Sequence, residues 1–330
     1  MNKPMHILVT GAAGMVGRKL TARLLRDRTL NDTAIDRLTL TDIVAPDKPV
    51  GATLTVATAA SDLAAAGAAA HAIADRPDVI FHLAAVVSGE AESDFDKGYR
   101  VNFAGTHELL EAIRLAGGGY RPKLVFASSI AVFGAPFPDA IGDEFFLTPL
   151  TSYGTQKAIS ELLLADYSRR GFLDGIGIRL PTIVVRPGKP NKAASGFFSS
   201  IIREPLNGQE AVLPVSDDVR HWFASPRAAA GFMVHAAELE RDRIGARVNL
   251  TMPGLCCTVG EEIAALARVA GGDVAKRIRR EPDEMVARIV AGWPQNFDAR
   301  RATALGFRAE MSFDEIIRAH IEDELGGRIA

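Results

Sequence analysis

The sequence predicts an α/β fold built on a doubly wound, parallel sheet, and three observations predict it. Runs rich in Val, Ile and Leu alternate with amphipathic stretches whose apolar residues recur every three to four positions. Several of those runs are apolar almost without interruption, the pattern of strands covered on both faces. A turn with three glycines follows the first run directly and opens the next helix.

In chain order, "HILVT" (residues 6–10) reads as the first strand and "VGRKLTARLLRD" as the helix after it. "RLTLTD" (37–42) and "ATLTVA" (52–57) follow as strands, and the alanine-rich stretch 57–74 as a loop leading into a helix, since Ala is the best helix former. "VIFHLAA" (79–85), the helical "GTHELLEAIRLAG", "KLVFASS" (123–129), a helix after "TSYGTQK" (151–157) and "GIGIRL" (175–180) complete the alternation. Beyond about residue 185 it breaks into Pro- and Gly-containing loops and shorter helical pieces. Residues 1–184 therefore form mainly a Rossmann-type dinucleotide-binding domain. Residues 185–330 form mainly a smaller substrate-binding region, with some segments returning to the first. Two capping boxes mark helix starts there, Thr258 with Glu261 and Ser312 with Glu315.

With 38 Lys and Arg against 40 Asp and Glu, the net charge of −2 builds in no general attraction to nucleic acid or an anionic membrane. The expected partner is a diffusible small molecule. The two cysteines, Cys256 and Cys257, are adjacent, which suits neither a bridge nor a zinc site, and they read as reduced thiols; no metal is expected. No cleavage-site pattern and no apolar run of about 18 residues is present, so the expectation is a cytoplasmic, soluble protein.

In "TGAAGMVG", Gly11 suits a tight turn, Gly14 close approach to a pyrophosphate, and Gly17 close packing of helix on sheet. Met15 and Val16 open the helix, whose free amides and dipole favour phosphate. Asp42 ends "RLTLTD", where a carboxylate can accept hydrogen bonds from both hydroxyls of an adenine ribose and would repel the extra phosphate of NADP. NAD is thus the expected cofactor, although Arg18 beside the glycine turn is a cation that a phosphate could use; the other reading of Asp42 is a turn residue at a strand end.

Tyr153 and Lys157 lie one helical turn apart and share a face. Such pairs also occur as plain helix surface. A tyrosine acting as a base near neutrality needs its phenolate favoured by about 4 kcal/mol, which a neighbouring ammonium and a positive nicotinamide could supply in a dry pocket. Ser128 and Ser129 stand at the end of a strand, the edge where doubly wound sheets bind ligands, and a hydroxyl there can hold a reacting oxygen or merely cap the strand end.

With these residues, "HLAA" (82–85), "SSIAVFG" and "NFDARRATALGF", the chain resembles the extended short-chain dehydrogenase/reductases over almost its whole length. The resemblance implies that Asp62 and Leu63 flank the adenine, Ala84 and Ala85 line the cofactor channel, and Asn102 braces the site. It further implies Ser129 as the catalytic serine, Tyr153 as acid/base and Lys157 as holder of the nicotinamide ribose, with Pro181 and Thr182 also at the cofactor. Family members often pair through helices corresponding to 102–117 and 153–169, which implies a homodimer.

Two departures separate the chain from the nucleotide-sugar epimerases and dehydratases of that family. Thr182 stands where they carry an asparagine, and "RHWFASPR" (220–227) lacks their acidic residues. Arg186, Lys189, Lys192, Arg220 and His221 collect in this region, and a guanidinium can clamp a carboxylate bidentately. Arg186, Arg220 and His221 are the candidate substrate residues, while Lys189 and Lys192 read as a solvated basic loop. "RLPTIVVRPGKPNKAASGFF" and "REPLNGQ" resemble the D-erythronate dehydrogenases of four-carbon acid sugar catabolism, implying NAD-linked oxidation of the 2-hydroxyl of a small sugar acid. The alternatives are a nucleotide-sugar epimerase or dehydratase and a non-catalytic dinucleotide sensor on the same fold.

Overall fold

A computed structural model describes residues 4–188 and 195–330; Lys189 and Lys192 lie outside the described residues. The main elements, in chain order, begin with β1 (Met5–Thr10), α1 (Met15–Asp27), β2 (Thr33–Asp42), β3 (Thr55–Ala60) and β4 (Val79–His82). They continue with α2 (Gly105–Leu115), β5 (Lys123–Ser129), α3 (Ser152–Arg169), β6 (Asp174–Leu180), β7 (Thr182–Ile183) and α4 (Gly196–Leu206). The last are β8 (Arg220–Ala224), α5 (Pro226–Glu238), β9 (Asn249–Thr251), β10 (Leu255–Thr258), α6 (Val259–Ala270) and α7 (Phe313–Leu325).

The chain divides into two compact units, the first comprising Met1–Val132, Pro149–Arg179 and Ala230–Leu250. Its sheet has the order β9-β6-β5-β4-β1-β2-β3, with a two-residue strand, Thr29–Leu30, paired antiparallel to the start of β2. The pairs β1·β2, β1·β4, β2·β3 and β4·β5 are all parallel. From β1 the chain first winds outward through β2 and β3, then returns to place β4 on the other side of β1. That reversal is the point where sheets of this kind open a crevice for ligands. Ile7, Leu8 and Val9 of β1 are fully buried, each contributing about 1.5–3 kcal/mol of apolar transfer. One face of the sheet is closed by a core joining Leu8, Ile80, Leu124 and Phe126 to Leu109, Leu110 and Ile113 of α2 and Leu164 of α3.

Two local expectations are corrected in this unit and the next. Residues 57–60 belong to β3, not to a loop, because Thr58, Ala59 and Ala60 pair with Leu40, Thr41 and Asp42; sheet pairing overrides the helical bias of alanine. At Ser312 only half a capping box forms. Ser312 accepts from the Glu315 amide, but the Glu315 carboxylate turns to the amide of Met311. At Thr258 both bonds of the box are present.

The second unit comprises Phe133–Thr148, Leu180–Ala229 and Thr251–Ala330. Its three-stranded sheet runs β10-β8-β7, with β8 antiparallel to β10 and parallel to β7. Phe197, Phe198, Ile201 and Ile202 of α4 pack with Ala265 and Leu266 of α6 and Ile316 and Ile317 of α7 over it. Glu262 of α6 is fully buried, and neither carboxylate oxygen has a hydrogen-bond partner among the described residues. Cys256 and Cys257 are both free thiols.

Candidate active site

Gly11 follows β1 with φ at +76°, a conformation that costs an L side chain, and a Cβ there would stand 2.6 Å from the backbone of Leu83 and Ala84. The turn therefore packs directly on the loop after β4, at the reversal of strand order. A Cβ on Gly17 would overlap the carbonyl oxygen of Gly11 and the backbone of Ala12. Gly14 is the N-cap of α1 and makes no side-chain cap, which leaves the amides of Met15 and Val16 at the open end of a 13-residue helix. A backbone stripped of side chains and closed by a helix N-terminus fits a pyrophosphate.

Asp42 stands beside this turn. Its Oδ2 accepts from the Ala13 amide at 3.0 Å and its Oδ1 from the Ile43 amide at 2.7 Å, so the carboxylate is fixed in place with lone pairs to spare for ribose hydroxyls. Arg18 donates to the Ala13 carbonyl at 3.0 Å on the same turn. Asp62 caps the amide of Ala64 at 3.1 Å and pairs with Arg100, whose guanidinium holds its carboxyl below the usual range; Leu63 beside it is buried. Ala84 and Ala85 follow β4 as half-buried small residues.

Asn102 is buried in a π-helical turn, Tyr99–Ala104, that leads into α2. Its side chain spans the loop after β4: Oδ1 accepts from the Val86 amide at 2.8 Å, and Nδ2 donates to the Val86 carbonyl at 3.1 Å and to Gln156 Oε1 at 2.7 Å. Asn102 is thus a brace between that loop and α3. Gln156, which the sequence reading passed over, is its partner.

The end of β5 and the start of α3 are brought together by Gly154. A Cβ at this position would overlap the carbonyl oxygen of Ala131, two residues after Ser129, and Thr151 fixes the helix start by accepting from the Gly154 amide at 3.0 Å. Tyr153 and Ser129 are each half-buried, whereas Ser128 is buried and donates to Glu161 at 2.5 Å. Ser129 Oγ accepts from the Ala131 amide at 3.2 Å, which orients it and leaves its proton free to donate. Lys157 is buried; its Nζ donates to the Ala127 carbonyl at 2.8 Å, lies 4.8 Å from the Phe126 ring centroid and 5.7 Å from that of Tyr153. Burial pulls its pKa down to about 8 against the opposing charge of Glu161. His82, bonded to Thr10 and Thr106, is driven by burial to about 3 and stays neutral.

The candidate substrate residues lie in the second unit and are not all together. Thr182 Oγ1 and His221 Nε2 are 2.6 Å apart, and the His221 ring stacks on Phe198 at 5.3 Å. Burial, more than the nearby charge of Arg186, lowers His221 to about 4, so it is a neutral partner of Thr182. Arg186 reaches the Ile183 carbonyl at 3.0 Å and Ser195 Oγ at 3.3 Å. Arg220 precedes His221 on β8 and so projects from the opposite face, toward Cys256 Sγ at 3.9 Å. Pro181 is buried just before β7. Among the described residues no group of His, Cys, Asp and Glu could hold a metal ion.

Sequence reasoning missed Gly154, Thr151, Gln156, Glu161 and Arg179. A glycine inside a helical pattern and a threonine just before it are signals of close packing and of an N-cap, and could have found the first two.

The reversal point, the glycine turn and the fixed aspartate define a dinucleotide-binding protein on a Rossmann-type sheet. The chain belongs to the NAD dependent epimerase/dehydratase family, the extended short-chain dehydrogenase/reductases, whose profile matches residues 7–250. A D-erythronate dehydrogenase of Cupriavidus necator is 49% identical over 97% of this chain and 98% of that protein. Another from Haemophilus influenzae is 41% identical over 97% of this chain and the whole of that one. A crystal structure described as the nucleoside-diphosphate-sugar epimerase from Agrobacterium tumefaciens is 62% identical, with a TM-score of 0.97 across 99% of this chain and 96% of that one.

Proposed function

We propose that this protein oxidises the 2-hydroxyl of D-erythronate with NAD, giving 2-dehydro-D-erythronate and NADH. The observation that carries the reading is that Lys157, beside the Tyr153 ring, is anchored on Ala127 at the end of the strand that carries Ser129, in a chain similar over nearly its full length to two D-erythronate dehydrogenases.

In this reading Ser129 donates its free proton to the substrate hydroxyl oxygen and holds it beside Tyr153. The Tyr153 phenolate takes the hydroxyl proton as the C2–H bond breaks and the carbonyl forms. Bound NAD supplies the acceptor for the hydride. Lys157, anchored on Ala127, favours the phenolate by its charge and presents its remaining protons to the nicotinamide ribose. The glycine turn, Met15, Val16 and Gly17 hold the pyrophosphate; Asp42 takes the adenine ribose, Asp62 and Leu63 the adenine, Ala84 and Ala85 the channel, and Asn102 braces the loop behind them, with Pro181 and Thr182 also assigned to the cofactor. Arg186 or Arg220 holds the substrate carboxylate in this reading, since His221 is neutral and bonded to Thr182.

A second reading, a nucleotide-sugar epimerase, is favoured by the description of the Agrobacterium tumefaciens structure. Against it stands Thr182, whose hydroxyl is bonded to His221 where the family's sugar-nucleotide binders carry an asparagine. The test is NADH formation with NAD and a panel of four-carbon aldonic acids. Turnover on D-erythronate supports the dehydrogenase; no turnover on any acid, with NAD co-purifying, supports the epimerase.

We also assign the protein to the cytoplasm as a C2 homodimer, supported by exposed Leu115 on α2 and Leu162 on α3. No described helix is long and apolar enough to cross a membrane. Sedimentation at monomer mass would refute the dimer.

A further inference from the structure

Three consecutive residues at the end of β5 have three separate fates. Ala127 gives its carbonyl to Lys157, Ser128 gives its hydroxyl to Glu161, and Ser129 keeps its hydroxyl proton free. Lys157 and Glu161 are one turn apart on α3, so one face of the helix grips adjacent residues of the strand. Glu161 is itself fully buried and gripped from a third element. Arg179 of β6 donates to both of its oxygens, at 3.0, 3.1 and 2.8 Å. Asn249 of β9 donates to its main-chain oxygen at 3.2 Å.

We propose that Glu161, held by Arg179, is a positioning residue for the reaction centre: it fixes the strand end that carries Ser129 and keeps Lys157 charged. A buried ion pair often adds no net stability over an apolar replacement, so stability alone does not account for a carboxylate here. Its place does. The groups facing Lys157 are Tyr153 and Glu161 from its own helix, the Phe126 ring and Ala127 carbonyl from β5, and His82 from β4, with Arg179 behind Glu161. His82 is neutral, and the Glu161 carboxylate is the charge that opposes the cost of burying the ammonium.

The inference rests on the assignment of Ser129, Tyr153 and Lys157 to catalysis, and its test reads cofactor binding as well as turnover. NADH is titrated by fluorescence from neutral to alkaline pH against the wild type, Ser128→Ala, and a double variant, Glu161→Gln with Arg179→Met, which removes both charges so that neither is left unpaired. Wild-type affinity should fall above about pH 8 as Lys157 loses its proton. In the folded double variant the fall should begin at lower pH, since Glu161 is the charge that supports the buried Lys157 ammonium. Ser128→Ala should keep the wild-type midpoint and lose about tenfold in kcat, because the strand end is no longer held. Coincident midpoints for the wild type and the folded double variant overturn the proposal. Should the double variant not fold, Ser128→Ala decides, and a wild-type kcat there overturns it. Retained turnover in Tyr153→Phe would instead strike the parent reading, whatever the binding curves show.

Discussion

Lys157 Nζ stands 5.7 Å from the centre of the Tyr153 ring, one helical turn along α3, and donates one N–H to the Ala127 carbonyl. The ammonium is anchored on the strand and lies near enough to the tyrosine ring for its charge to favour the phenolate. Tyr153→Phe should therefore lower kcat about a thousandfold with NADH binding intact, whereas Lys157→Met should weaken NADH binding as well. Steady-state kinetics beside a fluorescence titration separates the two. Equal effects on both constants in both variants would contradict these roles.

The glycine turn makes a sharper prediction. A methyl at residue 17 meets the carbonyl of Gly11 and the backbone of Ala12, neither of which can rotate away. Gly17→Ala should destabilise the protein by about 1–3 kcal/mol and abolish measurable NADH binding. Thermal denaturation with and without NADH checks both parts.

Cofactor choice should turn on Asp42. Asp42→Ala removes the acceptor for the ribose hydroxyls and the repulsion of a 2′-phosphate, while Arg18 remains at the turn. The KM for NAD should rise about 10- to 100-fold, as for loss of charged hydrogen bonds, and the preference over NADP should vanish or reverse. An unchanged ratio of kcat/KM values would show that the carboxylate does not choose.

Glu262 predicts a pH dependence of stability. Burial raises its folded pKa well above that of the unfolded chain. The folded state then binds the extra proton between the two values, so stability falls as pH rises from the unfolded value toward the folded one. Glu262→Leu should raise the Tm more at neutral pH than near pH 4, where the native side chain is largely neutral in both states. A Tm gain of equal size at both pH values would point to packing in place of titration.

The sheet and its glycine turn were legible because their signals are local: an apolar run, a glycine spacing and an acidic strand end all fall within a few residues of one another. Tyr153, Lys157 and Ser129 were singled out through a family pattern. The strand read at 52–57 was ended three residues early, because alanine's helical bias is local and the pairing of residues 58–60 with β2 is not. The Glu161–Arg179 pair was hidden for a related reason. It joins a helix and a strand, and either residue alone reads as an ordinary surface charge. Likewise the adjacent residues Arg220 and His221 looked equivalent on paper, yet a strand sends them to opposite faces.

The end of β5 also bears on which length changes this lineage can accept. Each residue from Ala127 to Ser129 has a different duty, and successive strand residues face opposite ways. Inserting or deleting one residue between Lys123 and Ser129 would trade the two serines, burying the free hydroxyl and offering the helix the wrong one. Substitutions can drift through this stretch, but a codon gained or lost there should be silenced by selection at once, while the loops beyond Gly134 remain open to growth.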